Sequence, residues 1–219
     1  MLKVCKFGGS SLSDAKHFKQ VKAIIEADPD RKCVIVSAPG KGEGECDKIT
    51  DLLYLCFQHR KYHVEFDGLF ERIEQRYLKI KKELNIDYPI ENDLKEIREA
   101  LKEKKLTEAK LVSRGEYLCA KLLAAYLGYS FIDAKDVIHF KFDGKVDEKK
   151  TSEDIAKAFA KVEKAVIPGF YGSYPNGEVC LFSRGGSDVS ASYFAEALDA
   201  YLYENFTDVS GFYMAKICG

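Results

Sequence analysis

The 219-residue sequence predicts an α/β fold built on parallel strands. Three observations carry that expectation. The chain opens strand, glycine loop, helix, strand, which is a βαβ unit. Its second strand, Cys33-Val34-Ile35-Val36, is a short β-branched run of the kind buried in a parallel sheet. The second half again alternates apolar runs with helical periodicity, after a long middle stretch that carries helical patterns alone.

Leu2 to Phe7 alternates apolar residues with lysine and cysteine, as a strand does, and Gly8-Gly9-Ser10-Ser11 ends it abruptly. Asp14 to Ala27 reads as a helix with Phe18, Val21, Ile24 and Ile25 on one face, stopped by Asp28-Pro29-Asp30. Ser37 to Asp47 holds one proline, three glycines and several charges, the composition of a mobile loop. From Lys48 to about Gly128 helical patterns cover about Ile49 to His59, Val64 to Leu84, Glu91 to Lys104 and Glu108 to Leu127. Asn85 to Pro89 is the clearest break among them, and Gly128 caps the last. Tyr129 to Asp133 and Val137 to Phe140 read as short strands. Ser152 to Lys164 reads as a helix capped by Thr151 or Ser152. Ala165 to Gly172 is a strand running into a loop, and Pro175-Asn176-Gly177 is a tight turn before Glu178 to Phe182. An alanine-rich helix from Asp188 to Tyr201 and a strand from Tyr203 to Phe206 complete the pattern.

Hydrophobic residues make up 46% of the chain and charged residues 32%, enough for a core and a hydrated surface. A net charge of −1 gives no support for a nucleic-acid or polyanion binder. No segment has the length of a membrane span, and the amino terminus lacks an apolar signal core, so a cytoplasmic protein is expected. Seven cysteines, an odd number without a Cys-x-x-Cys pair, read as reduced and buried. His59 and His63 lie four apart, but no further metal ligands accompany them, so no metal site is assigned there. Phe66, Phe70 and Tyr77 recur near helical spacing and read as core.

Four stretches carry chemistry. In Lys6-Phe7-Gly8-Gly9-Ser10-Ser11, glycines let the backbone approach a ligand and aim amides at an anion, while a helix start and Lys6 favour negative charge. That combination suits the β- and γ-phosphates of a nucleotide, although the spacing matches neither a Walker loop nor Gly-x-Gly-x-x-Gly. A bare glycine turn beside an exposed lysine fits that stretch equally well. Phe182-Ser183-Arg184-Gly185-Gly186-Ser187-Asp188 repeats the logic with arginine, which holds carboxylates in a two-pronged contact. Ser187 or Asp188 acting as a simple cap is the plainer reading. Two such loops together suggest two anionic ligands facing each other. In Ser113-Arg114-Gly115-Glu116, a glycine inside a helical pattern costs about 1 kcal/mol against alanine, which suggests close approach by another group. Glu116 would then face a cation, though the pattern alone favours a surface glutamate. Thr207-Asp208 follows the last strand, where parallel sheets bind ligands.

These stretches, in this order, resemble aspartokinases of the amino-acid kinase family. Val36-Ser37-Ala38, Thr50-Asp51-Leu52-Leu53 and Ile167-Pro168-Gly169-Phe170 extend the likeness from Lys6 to about Tyr213. The resemblance implies a three-layer α/β/α sandwich with a mainly parallel central sheet: one catalytic domain over 1–219 with a helical insertion at 48–112. It implies ATP and Mg²⁺ as the phosphoryl donor pair and L-aspartate as acceptor. The implied reaction forms 4-phospho-L-aspartate, at the head of lysine, threonine and methionine biosynthesis. Lys6, Gly8, Gly9 and Ser10 would surround the transferred phosphate. Ser37, Thr50, Glu116, Arg184, Gly185, Gly186 and Ser187 would surround aspartate, and Thr207, Asp208 and Tyr213 would border the nucleotide. Lys6 and Arg184 are the residues expected to carry catalysis, and the intact enzyme is expected to be a homo-oligomer. The family continues from Tyr213 into Asp-Pro-Arg and on to regulatory domains, whereas this sequence reads Met214-Ala215-Lys216-Ile217-Cys218-Gly219, so a fragment is expected. The competing readings are a related kinase with a glutamate or acetylglutamate acceptor, and an inactive ligand-binding piece.

Overall fold

Alternation along the strands sorts the core into two layers, one on each face of a sheet. Strand β1 (Lys3–Phe7) sends Cys5 and Phe7 into one buried cluster and Val4 into the other. β2 (Arg31–Val36) does the same with Val34 and Val36 against Cys33 and Ile35. β4 (Ala165–Pro168) splits Val166 from Ala165 and Ile167. Strands apolar on both faces need a helical layer on each side. The computed structural model describes residues 1–42, 44, 46–183, 185–207 and 214–215.

The sheet runs in the order β3-β4-β2-β1-β7-β8, with β3 at Ser130–Phe131, β7 at Leu202–Phe206 and β8 at Met214–Ala215. All its pairings are parallel except β7 with β8. One face is covered by α1 (Ala15–Glu26), α2 (Ile49–Lys61), α3 (Asp67–Leu84), α4 (Ile90–Lys102), α5 (Glu108–Val112) and α6 (Arg114–Leu127). The other is covered by α7 (Glu148–Phe159) and α8 (Gly186–Ala197). A separate antiparallel hairpin pairs β5 (Tyr171–Ser173) with β6 (Val179–Leu181). The mainly parallel α/β sandwich expected from sequence is therefore the observed one. Among the described residues no helix is long and apolar enough to cross a membrane.

The middle of the chain is helical, as its periodicity predicts. Phe70, Ile73, Tyr77 and Ile80 of α3 are buried against the same cluster as Leu118, Leu122 and Leu123 of α6. Each such side chain contributes about 1.5–3 kcal/mol by leaving water.

Several boundaries move for identifiable reasons. The Glu108–Leu127 pattern is two helices meeting at Ser113, whose hydroxyl donates to Lys110 O at 2.9 Å. Val137 to Phe140 is not a strand. A 3-10 turn occupies Ala134–Asp136, and His139 and Phe140 make only isolated bridges, to Ser173 and Val146. The seventh helix starts earlier than expected, with Asp147 accepting from Lys150 N as its cap. Thr151 and Ser152, the two expected caps, both lie inside that helix; Thr151 is fully buried and accepts from His139 N at 3.0 Å. Cys5, Cys33, Cys56, Cys119 and Cys180 are buried and unpaired, while Cys46 is exposed.

Candidate active site

The strand register builds the site. Phe7, Val36, Pro168 and Phe206 lie side by side at the carboxyl edge of four parallel strands. The next residues, Gly8, Ser37, Gly169 and Thr207, therefore open onto one edge, where parallel sheets bind ligands.

The loop after β1 crosses the loop after β2 at backbone distance. Gly40 N–H donates to Gly9 O at 2.7 Å. A Cβ on Gly9 would sit 2.7 Å from Ala38 O, and one on Gly40 would sit 2.8 Å from Gly9 C, so neither position admits a side chain without backbone movement. Gly8 is open by contrast, with its nearest neighbours at 3.9 Å. Lys6 follows the parity of Val4 along β1 and so faces α8. It is buried at 7% exposure, and its Nζ lies 3.0 Å from Asp188 Oδ1. Asn205 Nδ2 donates to the same oxygen at 2.9 Å.

The second glycine pair opens α8. Gly185 takes a left-handed φ of +57° at its N-cap, a conformation that favours glycine. A Cβ on Gly186 would meet the Phe170 ring at 2.7 Å, and one on Gly169 would meet Ser187 Cα at 2.8 Å. That close fit brings Ser187 Oγ to 2.9 Å from Ser37 Oγ.

The third stretch begins α6 rather than interrupting a helix. Gly115 is flush against the β2 loop, where an added Cβ would lie 2.9 Å from Ala38 Cβ. Glu116 is consequently buried at 5% exposure instead of lying on the surface. Its Oε1 accepts from Ala38 N–H at 3.2 Å, while its Oε2 is buried with no partner among the described residues. Burial pushes the Glu116 carboxyl up to about 7, against the pull of backbone N–H donors, Ala38 among them, and of Arg114.

One cleft joins these parts. Lys6, Ser37, Thr50 and Glu116 border Gly8, Gly9, Ser10 and Thr207 on one side. The same four border Phe170, Ser183 and Gly185 to Asp188 on the other. The two glycine loops thus face each other across a shared wall. Of the residues singled out in the sequence, Arg184, Asp208 and Tyr213 lie outside the described residues. Sequence reasoning missed Gly40, Lys41 and Lys48, which also line the cleft, and the pairing of Asp188 with Lys6. Gly40-Lys41 repeats the glycine-beside-lysine chemistry of the first loop and was the available signal. Among the described residues no group of three or more His, Cys, Asp or Glu side chains forms a metal cage.

Chemically, a buried lysine, glycine-lined backbone and the start of α8 favour an anion. An unpartnered carboxylate oxygen favours a cation donor beside it. The amino acid kinase family model matches residues 1–217. Aspartokinase 3 of Bacillus subtilis is 37% identical over 97% of this chain and 50% of its own length. An aspartate kinase structure from Clostridium acetobutylicum superposes with a TM-score of 0.92 at 51% identity, covering 96% of this chain and 48% of that one. E. coli aspartokinase III, solved with aspartate and ADP, shares the fold at a TM-score of 0.82 and 24% identity. The chain spans about half the length of that Bacillus subtilis aspartokinase. With that match over almost its whole length, the chain belongs to the amino acid kinase family.

Proposed function

We propose that this chain is the amino-terminal catalytic part of an aspartokinase, which transfers the γ-phosphoryl group of ATP to the β-carboxylate of L-aspartate. The observation that carries the reading is the single cleft in which Lys6 and a buried, half-satisfied glutamate share a wall between two glycine loops. The likeness to aspartokinases at 37% and 51% identity supports the same acceptor.

In this reading the amides of Gly8, Gly9 and Ser10 receive the phosphates. Glu116 Oε2 takes the aspartate ammonium, and Arg184 takes the α-carboxylate. Ser37, Thr50 and the Gly185-Gly186-Ser187 start of α8 complete the acceptor pocket. Thr207, Asp208 and Tyr213 border the nucleotide. The β-carboxylate is ionised at neutral pH, so it needs no base; the barrier is bringing one anion onto another. Lys6 lowers that barrier by exchanging its Asp188 partner for the transferring phosphate. The half-exposed Asp188 carboxylate would hold a magnesium ion carried by the nucleotide, and that ion would supply further charge neutralisation. The helical insertion at 48–112 belongs to the same catalytic unit. A cytoplasmic location, a homo-oligomeric intact enzyme and a place at the head of lysine, threonine and methionine biosynthesis complete the proposal.

The test is aspartate-dependent ADP release, with glutamate and acetylglutamate run alongside as acceptors. Lys6→Ala and Arg184→Ala are each expected to cut turnover by about 10²-fold or more. Near-normal turnover in either variant, or a preference for another acceptor, removes the proposal.

A further inference from the structure

The helical region places a buried cation behind the loop that lines the cleft. Arg76, on α3, is 5% exposed. Its Nη1 donates to Gly40 O at 2.8 Å and its Nη2 to Asp47 O at 3.0 Å, so one guanidinium ties together both ends of the loop that follows β2. Arg72, one turn earlier on the same helix, pairs with the Asp47 carboxylate. Gly40 in turn donates to Gly9 O, which makes a continuous path from α3 through Gly40 to the glycine cradle. The residues that directly follow the two tied positions, Lys41 after Gly40 and Lys48 after Asp47, are both exposed and both line the cleft beside Gly8, Gly9 and Ser10.

A planar fork that reaches two carbonyls at once does what a lysine cannot. Two flexible ammonium groups flanking a glycine cradle would otherwise scatter into solvent, and fixing their backbone keeps them over the place where phosphate charge gathers. Resting on the kinase reading above, we propose that Lys41 and Lys48 are phosphate-binding residues for the nucleotide and that Arg76 is the positioning residue that holds their loop against the cradle. The helical insertion would then be part of the nucleotide site, directly through Lys48 and indirectly through Arg76.

The experiment measures MgATP and aspartate affinity separately, by calorimetry, across a variant set. Lys41→Ala and Lys48→Ala are each expected to weaken MgATP about tenfold, with aspartate affinity and melting temperature unchanged. Arg76→Lys keeps the charge and loses the fork; it is expected to weaken MgATP to a similar degree. Adding Arg76→Lys to the Lys41→Ala/Lys48→Ala pair should cost nothing further, because it acts through those lysines. A merely structural Arg76 would instead lower aspartate and MgATP affinity together and remain additive with the lysine changes, which overturns its role. Unchanged MgATP affinity in both lysine variants, with binding lost in Lys6→Ala, overturns the inference and leaves the kinase reading standing. Absence of MgATP binding in the wild-type chain removes both.

Discussion

The glycine loop after β1 and the glycine loop before α8 carry similar residues but are held in different ways. The first is locked backbone to backbone, where Gly9 and Gly40 cross with no room for a Cβ. The second is held by side chains, through the Ser37–Ser187 hydroxyl contact and the seating of Ser187 against Gly169. The cation of the first loop is buried and joined to the second through Asp188. Under the proposed function, a rigid cradle suits a ligand part that is the same in every turnover, the phosphates. A cradle built from hydroxyls suits a ligand recognised by its shape and polar groups, the acceptor. Neighbouring loops made of the same amino acids can thus divide two kinds of recognition between them.

Substitutions can break that contrast. The largest effect is expected at Gly9→Ala, which forces two backbones apart and should cost about 3 kcal/mol of stability as well as nucleotide binding. Gly8→Ala, in open space one residue earlier, should stay within about 0.5 kcal/mol. Thermal unfolding of both variants checks the pair; similar losses would show that the crossing does not matter.

Glu116→Gln comes next and sharpens the acceptor side. The folded carboxyl titrates near 7 and the unfolded one near its ordinary 4.5. Between those values the folded state holds a proton that the unfolded chain has released, so wild-type stability should fall by a few kcal/mol as pH rises through that window. The glutamine variant should lack that part of the slope. Aspartate affinity should rise with pH through about 7 in the wild type, as the carboxylate forms to meet the ammonium, and should be weaker and flat in the variant. Denaturant melts and aspartate titrations from pH 5 to 8 measure both.

Ser37→Ala and Ser187→Ala are expected to cost about 1 kcal/mol each in aspartate affinity and to couple in a double-mutant cycle. Strict additivity would mean that the hydroxyls act alone. Gly185→Ala is expected to cost about 1 kcal/mol of stability from its left-handed backbone, with no steric clash, since nothing lies within 4 Å of the added Cβ.

Most of the fold was legible because its signals are local. The β-branched run of β2, the periodicity of α1, and Pro175-Asn176-Gly177 between β5 and β6 each specify their own element. Val137 to Phe140 misled because an apolar run cannot reveal whether a neighbouring strand runs alongside it, and here contact is made at single residues. The break at Ser113 was hidden because the apolar spacing continues through it. The glycine loops were readable at the site, since glycine and a nearby cation announce themselves. The burial of Glu116 was not, because it is imposed by the flush packing of Gly115 against Ala38, which lies 78 residues from Glu116 in sequence. Lys41 and Lys48 escaped for the same reason: their place depends on a crossing of two loops that no periodicity records.

The central position of β1 bears on how the chain is made. Its partner on one side is β7, and Cys5 and Glu204 at that seam are 199 residues apart. At ribosomal speeds of about 5–20 residues per second, that edge of the first strand waits roughly 10–40 s for its mate. During that interval an unpaired strand edge is available to any other nascent segment. Newborn copies should therefore lean on chaperones, and misassembly, more than instability of the finished molecule, should limit the yield of folded protein.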